Sequence, residues 1–211
     1  TTLNVIPLDS LFNNTAPTVT NMKQFVTAYP GTFVDKGFAQ QGVNSTDSDG
    51  IGRVVAASLY PYDNVTFDVT GATSTSSLGA TVPAGDGTYL GMAAFTSPLA
   101  ARQPSVINPR VIATLDERIS SSAYEVGGRI YMVNTVEDGL DHARVRYTVI
   151  DATTKAILDQ GNIGDATHDY FQGAIAVNAL GQVVISYNRS GSQTADLNND
   201  GYADGNISVM A

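Results

Sequence analysis

The chain has 211 residues, 43% of them apolar, enough for one domain or two small ones with a real core. Twenty acidic against 11 basic residues give a net charge of −9, which excludes the basic face that nucleic acid or an anionic membrane surface needs. There is no cysteine, so disulfides, thiolate zinc centres and cysteine nucleophiles are excluded together.

The acid is almost all aspartate, with Glu117, Glu125 and Glu137 the only glutamates. Aspartate favours turns and caps and ligates hard cations, whereas surface helices are rich in Glu and Lys. The balance therefore points to an all-β chain whose loops are held by packing, backbone hydrogen bonds or bound ions. No stretch reaches the ~18 apolar residues of a membrane span, and residues 1–11 lack a charged signal n-region, so the chain reads as mature or trimmed. A secreted, extracellular or periplasmic bacterial protein is the expectation. The sequons at Asn13, Asn44, Asn64, Asn188 and Asn206 are then expected to stay bare.

In chain order, residues 20–29 carry Met22, Phe25, Val26 and Tyr29 at i, i+3, i+4 and i+7, which predicts one short helix capped by Thr20 and stopped by Pro30-Gly31. Strands are predicted at 53–60, 65–70, 89–95, 106–114, 129–136, 143–151, 173–178 and 182–188, each rich in Val, Ile, Thr and Tyr and bounded by turn residues. Residues 71–87 are small and polar and predict a long flexible loop. Gly127-Gly128 predicts a tight hairpin, and Ala179-Leu180-Gly181 a second turn. Along 144–150 alternation is plain, and the arginines at 144 and 146 read as a solvated face. Residues 1–211 are taken as a single all-β domain, either whole or a fragment of a longer chain.

Three segments carry a resemblance: Leu115-Asp116-Glu117-Arg118-Ile119-Ser120-Ser121, Gly128-Arg129-Ile130-Tyr131, and Ala174-Ile175-Ala176-Val177-Asn178 with Gly181 and Val184-Ile185-Ser186-Tyr187. Together they resemble a family of secreted bacterial β-propeller-like proteins, which implies one such strand pair per blade. A β-sandwich is the alternative fold, since it produces the same hairpins and no repeat of fixed period is present.

The sharpest motif is Asp196-Leu197-Asn198-Asn199-Asp200-Gly201-Tyr202-Ala203-Asp204. Oxygen ligands at Asp196, Asn198, Asp200 and Asp204, a turn glycine at Gly201 and the carbonyl of Tyr202 fit a calcium ion, which takes six to eight oxygens. Position 12 is Ile207 in place of a bidentate glutamate and the flanks are strands, so the loop resembles the calcium loops of FG-GAP-type and integrin-like propeller repeats, in which the aspartate at position 9 closes the site. A weaker candidate is Asp47-Ser48-Asp49-Gly50, which lacks the aromatic that follows the glycine in the Asp-box of sialidase-like propellers.

No catalytic constellation is singled out. His142 and His168 have no neighbouring third ligand in sequence, and no Gly-x-Ser-x-Gly elbow occurs. A sialidase-like glycoside hydrolase is the rival class, with Arg110, Arg118, Arg129, Arg144, Arg146, Tyr124 and Glu125 as its candidate residues. The preferred reading is a calcium-stabilised extracellular structural or binding module whose partners are other protein chains or cell-surface glycans. For the final strand, 207–211, pairing with the first residues of the same chain is preferred over pairing with a second chain, which favours a monomer.

Overall fold

The computed structural model describes residues 2–5, 12–13, 23–26, 38–47, 49–59, 62–69, 88–104, 110–137, 139–197, 199 and 201–211. Its strands in chain order are β1 (Thr2–Val5), β2 (Lys23–Val26), β3 (Phe38–Ser45), β4 (Gly52–Leu59), β5 (Tyr62–Val69), β6 (Thr88–Tyr89), β7 (Ala101–Arg102), β8 (Val111–Ile112), β9 (Ala123–Val126), β10 (Arg129–Glu137), β11 (Ala143–Asp151), β12 (Ile157–Ile163), β13 (His168–Val177), β14 (Val183–Gly191) and β15 (Ser208–Met210). The class is all-β, as the composition implies.

The largest sheet runs β12-β11-β10-β9-β3-β4-β5-β6, and a second holds β13-β14-β15. Gly127 and Gly128, at φ +60° and +72°, make the turn from β9 to β10, where two successive positive φ values match the twist of the flanking strands. β10 and β11 pair over nine residues, from Arg129 opposite Asp151 to Glu137 opposite Ala143. The junction between β3 and β9 is parallel, with Val43, Asn44 and Ser45 opposite Ala123, Tyr124 and Glu125. None of the sheets closes into a ring among the described residues.

Alternation along β10 and β11 sends side chains to two covered faces. On one, Tyr131, Val133 and Val145 meet Tyr170 and Ile175 of β13. On the other, Ile130, Met132 and Ile150 meet Val55 of β4, Leu90 and Ile119. A strand buried on both sides is why β10 is out of water along almost its whole length.

That second covered face corrects the expectation of a solvated Arg144 and Arg146. Both are buried, and a buried guanidinium requires acceptors. Arg146 donates to Asn162 Oδ1 (2.8 Å) and the Ala93 carbonyl (2.7 Å), with its guanidinium carbon 5.1 Å from the Phe95 ring centroid. Arg144 donates to the carbonyls of Ala143 and His168. The predicted strand at 89–95 is likewise cut short at β6. Gly91 takes φ +66°, and the Ala93 N–H and carbonyl are satisfied by the side chains of Gln160 and Arg146 instead of a neighbouring strand.

The predicted helix at 20–29 is also corrected: Lys23–Val26 is a strand, antiparallel to Thr2–Val5. A ten-residue helix is marginal without tertiary support, and Phe25 and Val26 suit a strand once a partner offers a ladder. β1 pairs with β2 and not with β15, whose strand neighbour among the described residues is β14 alone. Residues 71–87 and 105–109 lie outside the described residues. Among the described residues no helix is long and apolar enough to cross a membrane.

Candidate metal centre and adjoining polar cleft

β14 ends at Gly191, and the chain returns at β15 after a lobe whose neck is laced by backbone hydrogen bonds. Gly191 N–H donates to the Gly205 carbonyl (2.9 Å), Gly205 N–H to Gln193 (3.1 Å), and Asp204 N–H to Ala195 (2.8 Å). Gly205 is required there, because a Cβ would lie 2.5 Å from the Gly191 carbonyl oxygen and 2.6–2.7 Å from the Gln193 backbone.

Within the lobe, Asp196 Oδ2 accepts from Gly201 N–H (2.9 Å) and Asp204 Oδ2 accepts from Leu197 N–H (3.0 Å). These two bonds cross the loop in opposite directions and bring its first and ninth residues to the same mouth. Gly201 sits at φ +91°, the sharp turn expected at position 6, and Asn199 at φ +58°, a conformation asparagine tolerates. Tyr202 projects its side chain into solvent while Asp204 is half-buried. Asn198 and Asp200 lie outside the described residues, so the structure brings together Asp196, Gly201 and Asp204 of the predicted set. No group of three acidic or histidine side chains gathers at one point among the described residues. The donor chemistry, carboxylates and an amide oxygen on a loop closed at both ends, fits a hard cation.

Asp47 and Asp49 have structural employment. Asp47 accepts from Gly127 N–H (3.0 Å) and Gly128 N–H (2.7 Å), pinning the β9–β10 turn. Asp49 accepts from Ile51 N–H (2.9 Å) and from Arg53 Nη2 (2.6 Å). The Arg53 guanidinium beside Asp49 holds its carboxyl below the usual range.

The two histidines each meet an aspartate. His142 Nδ1 lies 3.1 Å from Asp169 Oδ1, and Asp169, fully buried, also accepts from the backbone N–H groups of Ala143 and Arg102. At His168, Nδ1 lies 3.1 Å from both oxygens of Asp165. The same carboxylate accepts from Tyr170 Oη (2.7 Å) and from the Thr167 N–H and hydroxyl (2.8 Å each). Burial alone would raise the Asp165 carboxyl, but Tyr170, Thr167 and His168 together hold it well below the ordinary carboxylate range. For the Tyr170 phenol, burial and then the adjacent Asp165 charge push its pKa up to about 12.

Between His168 and the lobe lies a cleft of about 350 Å³ lined by Thr167, His168, Arg189, Gln193, Leu197 and Asp204. A second cleft of about 500 Å³ shares Arg189 and Asp204 with it and adds Gln103 and Tyr202. Three polar atoms of these residues are buried away from the cleft's open surface and have no protein partner: His168 Nε2, Arg189 Nε and Gln193 Oε1. Sequence reasoning missed Arg189 and Gln193, since no spacing motif marks them. A larger cleft of about 670 Å³ opens between the sheets, lined chiefly by Tyr131, Tyr147, Val149, Ile175 and Ile185.

The residues of the rival hydrolase reading have separate partners. Glu125 is bound to Arg53, Arg118 to Asp116, Arg146 to Asn162, and Arg129 lines the large cleft. Tyr124 and Glu125, adjacent on β9, alternate to opposite faces. Comparison with protein-family models, with characterised proteins and with solved structures finds no match for this chain.

Proposed function

We propose that the chain is a calcium-stabilised module of a secreted, extracellular protein with a structural or binding role. The observation that carries this reading is the loop from Asp196 to Asp204. Its oxygen-bearing residues stand at positions 1, 3, 5 and 9, and Asp196 and Asp204 close it by accepting from Gly201 and Leu197 N–H groups. Asp196, Asn198, Asp200 and Asp204 would hold the ion by side-chain oxygens and Tyr202 by its carbonyl. The ion's contribution is a fixed lobe between β14 and β15.

The propeller-like reading draws support from two successive antiparallel meanders, β9-β10-β11-β12 and β13-β14-β15, with β13 packed on β10 and β11. A four-stranded meander is the form of a propeller blade. Isothermal titration of the metal-free protein with calcium tests the function. One saturable site, lost in Asp200→Ala, is the expected result, and no heat with no calcium retained after gel filtration overturns it.

A further inference from the structure

We propose that the large cleft between the two sheets is the contact surface of a symmetric dimer, in which a second copy of this chain inserts the tip of its β13–β14 hairpin. The inference goes beyond the calcium reading and does not depend on whether the 196–204 loop holds an ion.

The cleft and the hairpin tip adjoin. The cleft, of about 670 Å³, opens between β10, β11 and β12 on one side and β13 and β14 on the other, with Tyr131 and Tyr147 in its lining. Its lining includes apolar side chains left open to solvent, Leu158 at 50% and Val183 at 41% exposure. Gly181 lines it too, and a Cβ there would lie 3.6 Å from the Tyr131 hydroxyl. Next to Gly181, Leu180 projects into solvent at 84% exposure. Apolar side chains gathered around an open, tyrosine-lined recess are the form of a protein contact surface.

The tip that carries Leu180 is fixed in place. Asn178 Oδ1 accepts from the N–H groups of Leu180 and Gln182 (3.0 Å each), and its Nδ2 donates to Gln182 Oε1 (2.7 Å). Gly181 N–H donates to the Asn178 carbonyl (2.9 Å). The turn is therefore ordered before any partner arrives, and its insertion costs little backbone entropy. A projecting residue beside a recess is self-complementary under a two-fold axis, since each copy fills the recess of the other.

Charge selects a second copy over any other apolar partner. Arg129 on β10 and Asp159 on β12 both line the cleft, with β11 between them, and both are exposed. Neither forms an ion pair among the described residues. A basic partner would satisfy Asp159 and be repelled by Arg129, and an acidic partner the reverse. A partner that offers one charge of each sign, in the opposite order, satisfies both. A two-fold axis supplies that order by setting Arg129 of one protomer against Asp159 of its partner.

Sedimentation equilibrium of the full chain from about 1 μM to 1 mM, in calcium and in chelator, tests the proposal. A monomer–dimer equilibrium with the same constant in both conditions is expected, and it supports the dimer even where calcium fails to bind. Leu180→Asp, at an exposed position, is expected to weaken association about a hundredfold. Arg129→Asp and Asp159→Arg, each alone, oppose like charges across the axis and are expected to weaken it about tenfold. Mixed in equal amounts, these two variants present opposite charges at both contacts, so a heterodimer of about wild-type affinity is expected. Recovery on mixing also shows that both variants are folded. A chain that stays monomeric at 1 mM leaves the cleft to another occupant and overturns the proposal. A dimer indifferent to Leu180→Asp and to both charge variants, or variants whose mixture fails to associate, overturns it as well.

Discussion

Arg53 Nη1 lies 2.7 and 2.8 Å from the two carboxylate oxygens of Glu125, and the side chains are 2% and 1% exposed. The pair joins β4 to β9 across the parallel β3–β9 junction, the seam between the early hairpins and the later meander. Around it, Arg53 Nε donates to the Ala152 carbonyl, Asp49 takes Nη2, and Lys155 bridges back to Asp68 at 2.7 Å. One buried cation therefore ties three segments together.

Breaking this pair is expected to be asymmetric. Arg53→Leu leaves Glu125 charged, buried and without its guanidinium, which costs about 3–5 kcal/mol. Glu125→Leu leaves Arg53 still beside Asp49 at 2.6 Å and Asp68 at 3.8 Å, so its cost is expected to be clearly smaller. Urea unfolding of both variants measures the difference, and equal losses would count against the charge argument.

Stability is expected to have a plateau with two defined edges. Asp165 is held below its ordinary 3.8 in the folded chain, so its contribution is complete above that value and is lost as pH falls below it. Asp49, Asp116, Glu137 and Asp151 are shifted the same way, chiefly by Arg53, Arg118, Thr96 and the Thr154 N–H respectively. Tyr170 is raised from 10.0 to about 12, so its contribution is complete below pH 10 and is lost as pH rises from 10 towards 12. Melting temperature against pH is the measurement. Tyr170→Phe is expected to remove the alkaline edge and to make the acid loss smaller, still beginning near 3.8 but complete at a higher pH, since Asp165 loses a donor and its folded-state carboxyl is less depressed.

Legibility in the sequence followed periodicity and turn chemistry. β10, β11 and the Gly127-Gly128 turn were readable because Val, Ile and Tyr alternate between unmistakable turn residues. β12 was not, because its sequence Ile-Leu-Asp-Gln-Gly-Asn-Ile has no clean period. Its Gly161 is there to admit the Tyr147 ring, whose hydroxyl would lie 2.7 Å from a Cβ. β3 was hidden by polar residues and by a register shift between Phe38 and Gln41 with Ala39 at φ +49°. The burial of Arg146 could not be read either, since its acceptors, Ala93 and Asn162, come from distant segments. At the candidate site the loop spacing was legible, whereas the cleft depends on Gln193 folding back onto Thr167.

Gly205 is expected to be the least replaceable of the glycines at the lobe's neck. The atoms a Cβ would meet belong to the backbones of Gly191 and Gln193 and cannot swing aside as a side chain can. Gly205→Ala should therefore part the neck and destabilise by roughly 1–3 kcal/mol. Gly42→Ala is the control: no atom lies within 4 Å of its Cβ, and its cost is expected within about 0.5 kcal/mol. Denaturant midpoints of the two variants decide it.

Removal of calcium is expected to separate two roles that Asp204 combines. It is the ninth position of the candidate loop and also the acceptor for Leu197 N–H, a bond that exists without metal. Asp200→Ala, by contrast, removes the fifth position of the candidate loop. An ion that binds only the folded chain adds RT ln(1 + [L]/Kd), about 2.7 kcal/mol at a hundredfold excess over Kd. For a chain of this length each kcal/mol moves the melting temperature by about 2–4 °C, so chelator should lower it by roughly 5–10 °C. Asp200→Ala should melt at the chelated temperature whether or not calcium is added. Asp204→Ala should melt lower still, and below the wild type even in chelator, by the worth of one hydrogen bond, about 1 kcal/mol. Tyr202→Phe keeps the carbonyl and should respond to calcium as the wild type does. Differential scanning calorimetry of the four proteins, with calcium and with chelator, supplies all eight values. A wild-type curve that chelator leaves unmoved removes the metal from the loop, and an Asp204→Ala curve equal to wild type in chelator removes the structural role of its carboxylate.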